Sequence, residues 1–157
     1  MSDVPIPTSN MSKLQERVKA ILEANDVFNE LQTAAAIITE NVKDVNGEIE
    51  RALAELTCGV AIIIMTPSAE STHPNIPGPQ YDNVMLYVHA VENTLVNRET
   101  TGTQKTASYW IEQAAAALHR QTGIQNQILV AGKINLLADE DKLVYRLTVK
   151  TSFGLAV

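Results

Sequence analysis

The chain has 157 residues, 45% hydrophobic and 19% charged, with a formal net charge of -6 and a pI near 5.0. That length suits one domain able to bury roughly 70% of its unfolded surface. The acidity, with no three basic residues together, argues against tight binding to nucleic acid, and the lone cysteine, Cys58, excludes an intrachain disulfide.

Residues 1–11, with Pro5, Pro7, Ser9 and Asn10, read as a flexible N-terminal arm, and residues 12–157 as a single α+β domain. Ser12 followed by Gln15 is a capping-box pattern. Leu14, Val18, Ile21 and Leu22 then share a helical stripe that ends near Asn25-Asp26. Residues 28–42 are ambiguous between helical and extended periods, and a strand over 34–39 is favoured. Asp44 or Asn46 can cap the next helix, whose stripe is Ile49, Ala52, Leu53 and Leu56, with Gly59 as its C-terminal stop.

Val60 to Met65 is a continuous, β-branched apolar run, as expected for a central strand covered on both faces. It falls far short of the roughly 20 residues that cross a bilayer. Pro67 to Gln80 forms a loop rich in proline, and loops of that length usually serve a purpose.

Residues 81–92 alternate, with Val84, Leu86, Val88 and Ala90 on one face and Met85, Tyr87, His89 and Val91 on the other. A second polar loop from Asn97 to Thr103 leads into a helix through Tyr109, Trp110, Ile111, Ala114, Ala115 and Leu118, closed by Gly123. Two strands, about 127–136 and 143–153, flank the turn Asp139-Glu140-Asp141. The second sets Leu143, Tyr145, Leu147, Val149 and Phe153 against Val144, Arg146, Thr148, Lys150 and Ser152. The predicted fold is a two-layer α+β sandwich, a mainly antiparallel or mixed sheet packed on two to three helices.

Chemistry-bearing constellations are not found. His73, His89 and His119 have no ligand spacing to one another or to Cys58, which sits at the end of a helix where the dipole does not activate a thiol. Glu48/Glu50 and Asp139-Glu140-Asp141 suit a solvated helix surface and a hairpin turn. Thr101-Gly102-Thr103 before a helix is a capping segment without a phosphate-loop lysine. No enzyme activity, cofactor or metal is expected. What calls for explanation is an arm and two long polar loops on a small sheet, the equipment of a subunit that grips its neighbours.

The order of several pieces resembles the small bacteriophage tail-completion proteins. They are Asp44 to Leu56, Thr66-Pro67-Ser68, Pro74 to Pro79, Glu92-Asn93 with Val96-Asn97-Arg98, Gly102-Thr103, the alanine-rich helix ending in Leu118-His119, and Leu143-Val144-Tyr145-Arg146. The element order is similar to that of lambda-type tail terminators, which form a six-fold ring closing the tail tube and docking it to the head. The resemblance implies a virion structural protein of the tail or neck, assembled in the bacterial cytoplasm. Its partners would be its own copies in a hexameric ring, the tail tube protein and a head-side connector or stopper. No membrane and no sequence-specific nucleic acid are implied. His73, Pro74, Asn75, Pro77, Asn97, Arg98 and Thr103 are the candidate interface residues. The alternative is a small cytoplasmic dimeric binding module or enzyme accessory subunit with a ligand groove beside the 67–80 loop.

Overall fold

A computed structural model describes residues 9–41, 44–53, 59–72, 80–94, 97, 105–139 and 142–154. In chain order its elements are α1 (Asn10–Glu23), a 3-10 turn (Asp26–Phe28), α2 (Asn29–Thr33), β1 (Ile37–Thr39), α3 (Val45–Leu53), β2 (Val60–Ile64), β3 (Ser68–Glu70), β4 (Gln80–Glu92), α4 (Ala107–Leu118), β5 (Val130–Asp139) and β6 (Leu143–Gly154). This is the expected α+β sandwich on a mixed sheet. The strand order is β1-β2-β4-β6-β5, with β3 paired to β4 off the main path.

β1 and β2 are parallel, joined through α3, and every other pairing is antiparallel. β4 and β6 form the long central pair, in which Leu86 faces Val149 and Val88 faces Leu147. These four side chains are buried, as the alternation of both strands predicts. α1 and α4 pack against each other and cover that face, bringing Leu14, Val18 and Leu22 onto Trp110, Ile111 and Ala114. Phe28 adds an aromatic contact to Trp110 at 5.7 Å. α3 packs on β1 and β2, whose Ile38, Ala61 and Ile63 are buried on the side away from α1. All five residues of β2 are therefore buried, and its Val-Ala-Ile-Ile-Ile run is that of a strand covered on both faces.

Several boundaries differ from the sequence reading, each for a local reason. Ser9, not Ser12, caps α1: its side chain accepts the Ser12 N–H at 3.1 Å, so Ser12 lies within the first turn. Of the two caps expected for α3, Asp44 is the one used, accepting from the Gly47 N–H, and Gly59 has the left-handed φ of 71° that a helix-stop glycine adopts. Residues 28–42 hold both readings in succession, a short helix and then a strand of three residues. Residues 68–70, inside the expected long loop, form β3. α4 ends at Leu118 rather than near Gly123, and Arg120 takes the left-handed conformation there. Cys58, His73, residues 1–8 of the arm and Glu140-Asp141 of the hairpin turn lie outside the described residues.

Candidate assembly surface

Of the seven predicted interface residues, His73, Pro74, Asn75, Pro77, Arg98 and Thr103 lie outside the described residues. Asn97 is described, and it is fully buried. Its Nδ2 donates to Glu92 Oε2 at 2.8 Å and to the Lys105 carbonyl at 2.8 Å. The other Glu92 oxygen accepts the Ala107 N–H at 2.9 Å, at the start of α4. A carboxylate there complements the helix dipole and fills a donor left open in the first turn. The side chain of Asn97 thus ties the end of β4 to the start of α4 within the subunit. Glu92 carries this junction, and nothing in its sequence context marks it, because a single acid ending a strand reads as surface.

The face of the sheet away from α1 and α4 carries a polar cluster on β4 and β6. The Arg146 guanidinium lies over the Tyr87 ring at 4.0 Å, and its Nε–H donates to His89 Nε2 at 3.1 Å. Partial burial, with the Arg146 charge adding to it, lowers the His89 pKa to about 4, against a smaller opposing pull from Glu40. A neutral acceptor imidazole beside a stacked cation braces this face. Among the described residues, no three His, Cys, Asp or Glu side chains converge as metal ligands would. The groove at Gln80, Tyr81 and Asp82 encloses about 170 Å³, below the usual range for a small-molecule site. No helix of the described residues is long and apolar enough to cross a membrane.

The surface that breaks the ordinary pattern lies on β5. Among the described residues, five of the six exposed large hydrophobics lie between 128 and 137: Ile128 (56% exposed), Val130 (44%), Ile134 (40%), Leu136 (46%) and Leu137 (42%). Ile134 pairs with buried Leu147 and Leu136 with Tyr145, so both point to the helical side of the sheet. Among the described residues, cover ends before it reaches them. The C-terminal end of α4 meets only the start of β5, where His119 Nδ1 accepts the Ala131 N–H at 3.2 Å and the Arg120 N–H donates to the Leu129 carbonyl. Beyond Ala131, β5 is an apolar shelf. Among the described residues it pairs only with β6, leaving its outer backbone edge open.

The opposite margin is recessed. β1 directs Ala36, Ile38 and Glu40 backbone groups toward β2, as shown by Ile62 N–H to Ala36 O at 2.8 Å and Glu40 N–H to Ile64 O at 2.8 Å. The backbone groups of Ile37 and Thr39 alternate with these and point outward from the sheet. Beside them runs a cleft of about 370 Å³. α1 contributes Lys19 and Glu23 to it, Ile37, Ile38 and Ala35 its apolar part, and the start of α3 Asp44 and Glu48.

No family model matches the chain, and no curated protein matches it. Among solved structures, the chain is similar to a protein from Akkermansia muciniphila at 12% identity and a TM-score of 0.34, over 96% of this chain and 80% of that one. The core domain of an A. muciniphila protein gives 9% identity and a TM-score of 0.34, over 95% and 90%. A third structure from that organism, without its transmembrane region, gives 8% and 0.32 over 98% and 90%. At these TM-scores the likeness carries no argument about function.

Proposed function

We propose that this chain is a structural subunit of a bacteriophage tail or neck, a tail terminator whose copies form a closed ring on the tail tube and meet the head-side connector. The observation that supports this reading is the open β5 edge with its uncovered apolar shelf. Solitary proteins blunt such an edge with charge, proline or an overlying element. Here Lys133 is the only charged side chain from 130 to 138. An edge kept apolar over that length suits a chain that completes its surface with a copy of itself. The acidic balance suits a ring through which DNA passes without sticking.

The test is assembly. Light scattering and electron microscopy of the purified chain at rising concentration should show closed rings, six-fold by the resemblance to tail terminators. A stable dimer that forms no larger species would remove the ring reading and favour the dimeric binding module.

A further inference from the structure

Resting on that ring reading, we infer that subunits join edge to edge in one sheet, with the β5 edge of one copy seated in the cleft along β1 of the next. Four observations on opposite margins of the sheet fit together.

The first is the offset of the helical layer. α1 reaches past β1, with Lys19 and Glu23 lining the cleft outside it, while Ile134 and Leu136 on β5 lack cover. Ile37 pairs with Ile62, Ile62 with Ala90, Ala90 with Tyr145, and Tyr145 with Leu136, so Ile37 and Leu136 share one face of the sheet. Joined head to tail, the overhang of one copy covers the shelf of the next. Joining β5 to β5 across a two-fold axis would bring two bare shelves together and leave both uncovered on the helical side.

The second is strand direction. β5 runs antiparallel to β1 across its own sheet. A head-to-tail join that keeps the helices on one side therefore makes an antiparallel ladder. That ladder would use the outward backbone groups of Ile37 and Thr39.

The third is charge. Lys133 pairs with Thr148 on the face away from Ile134, the side on which α3 packs. There it would approach Asp44, and Glu48, whose carboxylate already holds Arg51 at 3.2 Å. The fourth is symmetry: two different margins in contact make a heterologous interface, the kind that closes into rings. Sheet twist turns each added subunit in the same sense.

The test uses the full chain with Cys58→Ser as background. Glu23→Cys and Leu136→Cys variants are prepared separately, and disulfide formation is followed alone and after mixing. The mixture should give a cross-linked pair, and Leu136→Cys alone should not. The double variant Glu23→Cys/Leu136→Cys should give a ladder ending at the ring. Ile134→Lys/Leu136→Lys should lower the assembled fraction by at least about tenfold, about 1.4 kcal/mol, with the circular dichroism spectrum unchanged. Self-linking of Leu136→Cys without a mixed product would overturn the inference in favour of a two-fold β5 contact. Rings from the unmodified chain with no mixed product would overturn the edge join and leave the ring reading standing. An unmodified chain that never assembles would overturn both.

Discussion

At one margin of the sheet, β1 and β2 are sealed between α1 on one side and α3 on the other, and β2 exposes nothing. At the other margin, β5 is a less apolar strand that still carries Val130, Ile134, Leu136 and Leu137, and about two-fifths of Ile134, Leu136 and Leu137 faces solvent. β2 reads as core from its continuous apolar run, and Ile134 and Leu136 of β5 read as core-facing from their alternation. They differ in what lies above them, and so in what a mutation there should do. In β2 an apolar side chain stabilises the subunit; in β5 it is available to stabilise contact between subunits.

The sharpest way to break this contrast is truncation. Ile62→Ala and Ile63→Ala should each lower unfolding free energy by about 2–5 kcal/mol, since the two point to opposite buried faces. Ile134→Ala should cost less than about 1 kcal/mol in the monomer. Denaturant titration of the three variants decides it. A near-neutral Ile63→Ala would show the α3 side open, and an Ile134→Ala as costly as Ile62→Ala would show the shelf covered.

Next in size is the junction at the end of β4. Glu92→Ala should cost about 2–3 kcal/mol, because the buried Asn97 amide and the Ala107 N–H both lose an acceptor. Glu92→Gln keeps one acceptor and should lose roughly half as much. A neutral Glu92→Ala would place this junction on the solvated side of the contrast.

The wet face of the sheet gives a pH readout. The pKa of His89 is lowered on folding, so the unfolded chain takes up the proton first. Its contribution is fully present above about pH 6.5 and is lost as pH falls toward about 4. Solvent screening limits the effect to about 1–2 kcal/mol. Thermal melts between pH 7 and 4.5 should show a decline that His89→Gln flattens. An unchanged slope in the variant would assign the decline to carboxylates.

The smallest expected effect is at Ala35, where φ is 51°. Glycine removes the steric cost of that left-handed conformation, and Ala35→Gly should stabilise by about 0.5–1 kcal/mol. Because Ala35 also lines the β1 cleft, the same variant should leave assembly intact. Loss of rings would show that the Ala35 methyl group belongs to the contact.

Where one face is buried and the other wet, the strands are legible in the sequence. β4 and β6 alternate as read, and β2 is continuous as read. β3 is hidden because its three residues carry no apolar pattern. The start of β5 is misplaced by three residues, since the turn before it uses left-handed Arg120, Gln125 and Asn126 rather than glycine. Ile37 and Ile38 mark a strand, and the helical period that starts at Phe28 and Leu31 is real but stops at Thr33, which the period alone does not tell. The shelf was invisible for a different reason. Ile134 and Leu136 alternate as core-facing residues do, and only the placement of α4 shows that the helical layer stops short of them.

The pairing of β4 with β6 also sets a timetable for the nascent chain. Gln80 pairs with Gly154 and Glu92 with Leu143, so the central ladder is complete only after residue 154 has left the ribosome. Contacts this distant in sequence close late and slow folding. The β5–β6 hairpin uses the same β6 but joins strands adjacent in sequence, so it closes faster once β6 has emerged. Until β4 pairs with β6, the hairpin has two open edges, that of β6 and the apolar one of β5. Synthesis at high copy number should therefore favour aggregation between neighbouring nascent chains, and slower translation or lower temperature should raise the soluble yield.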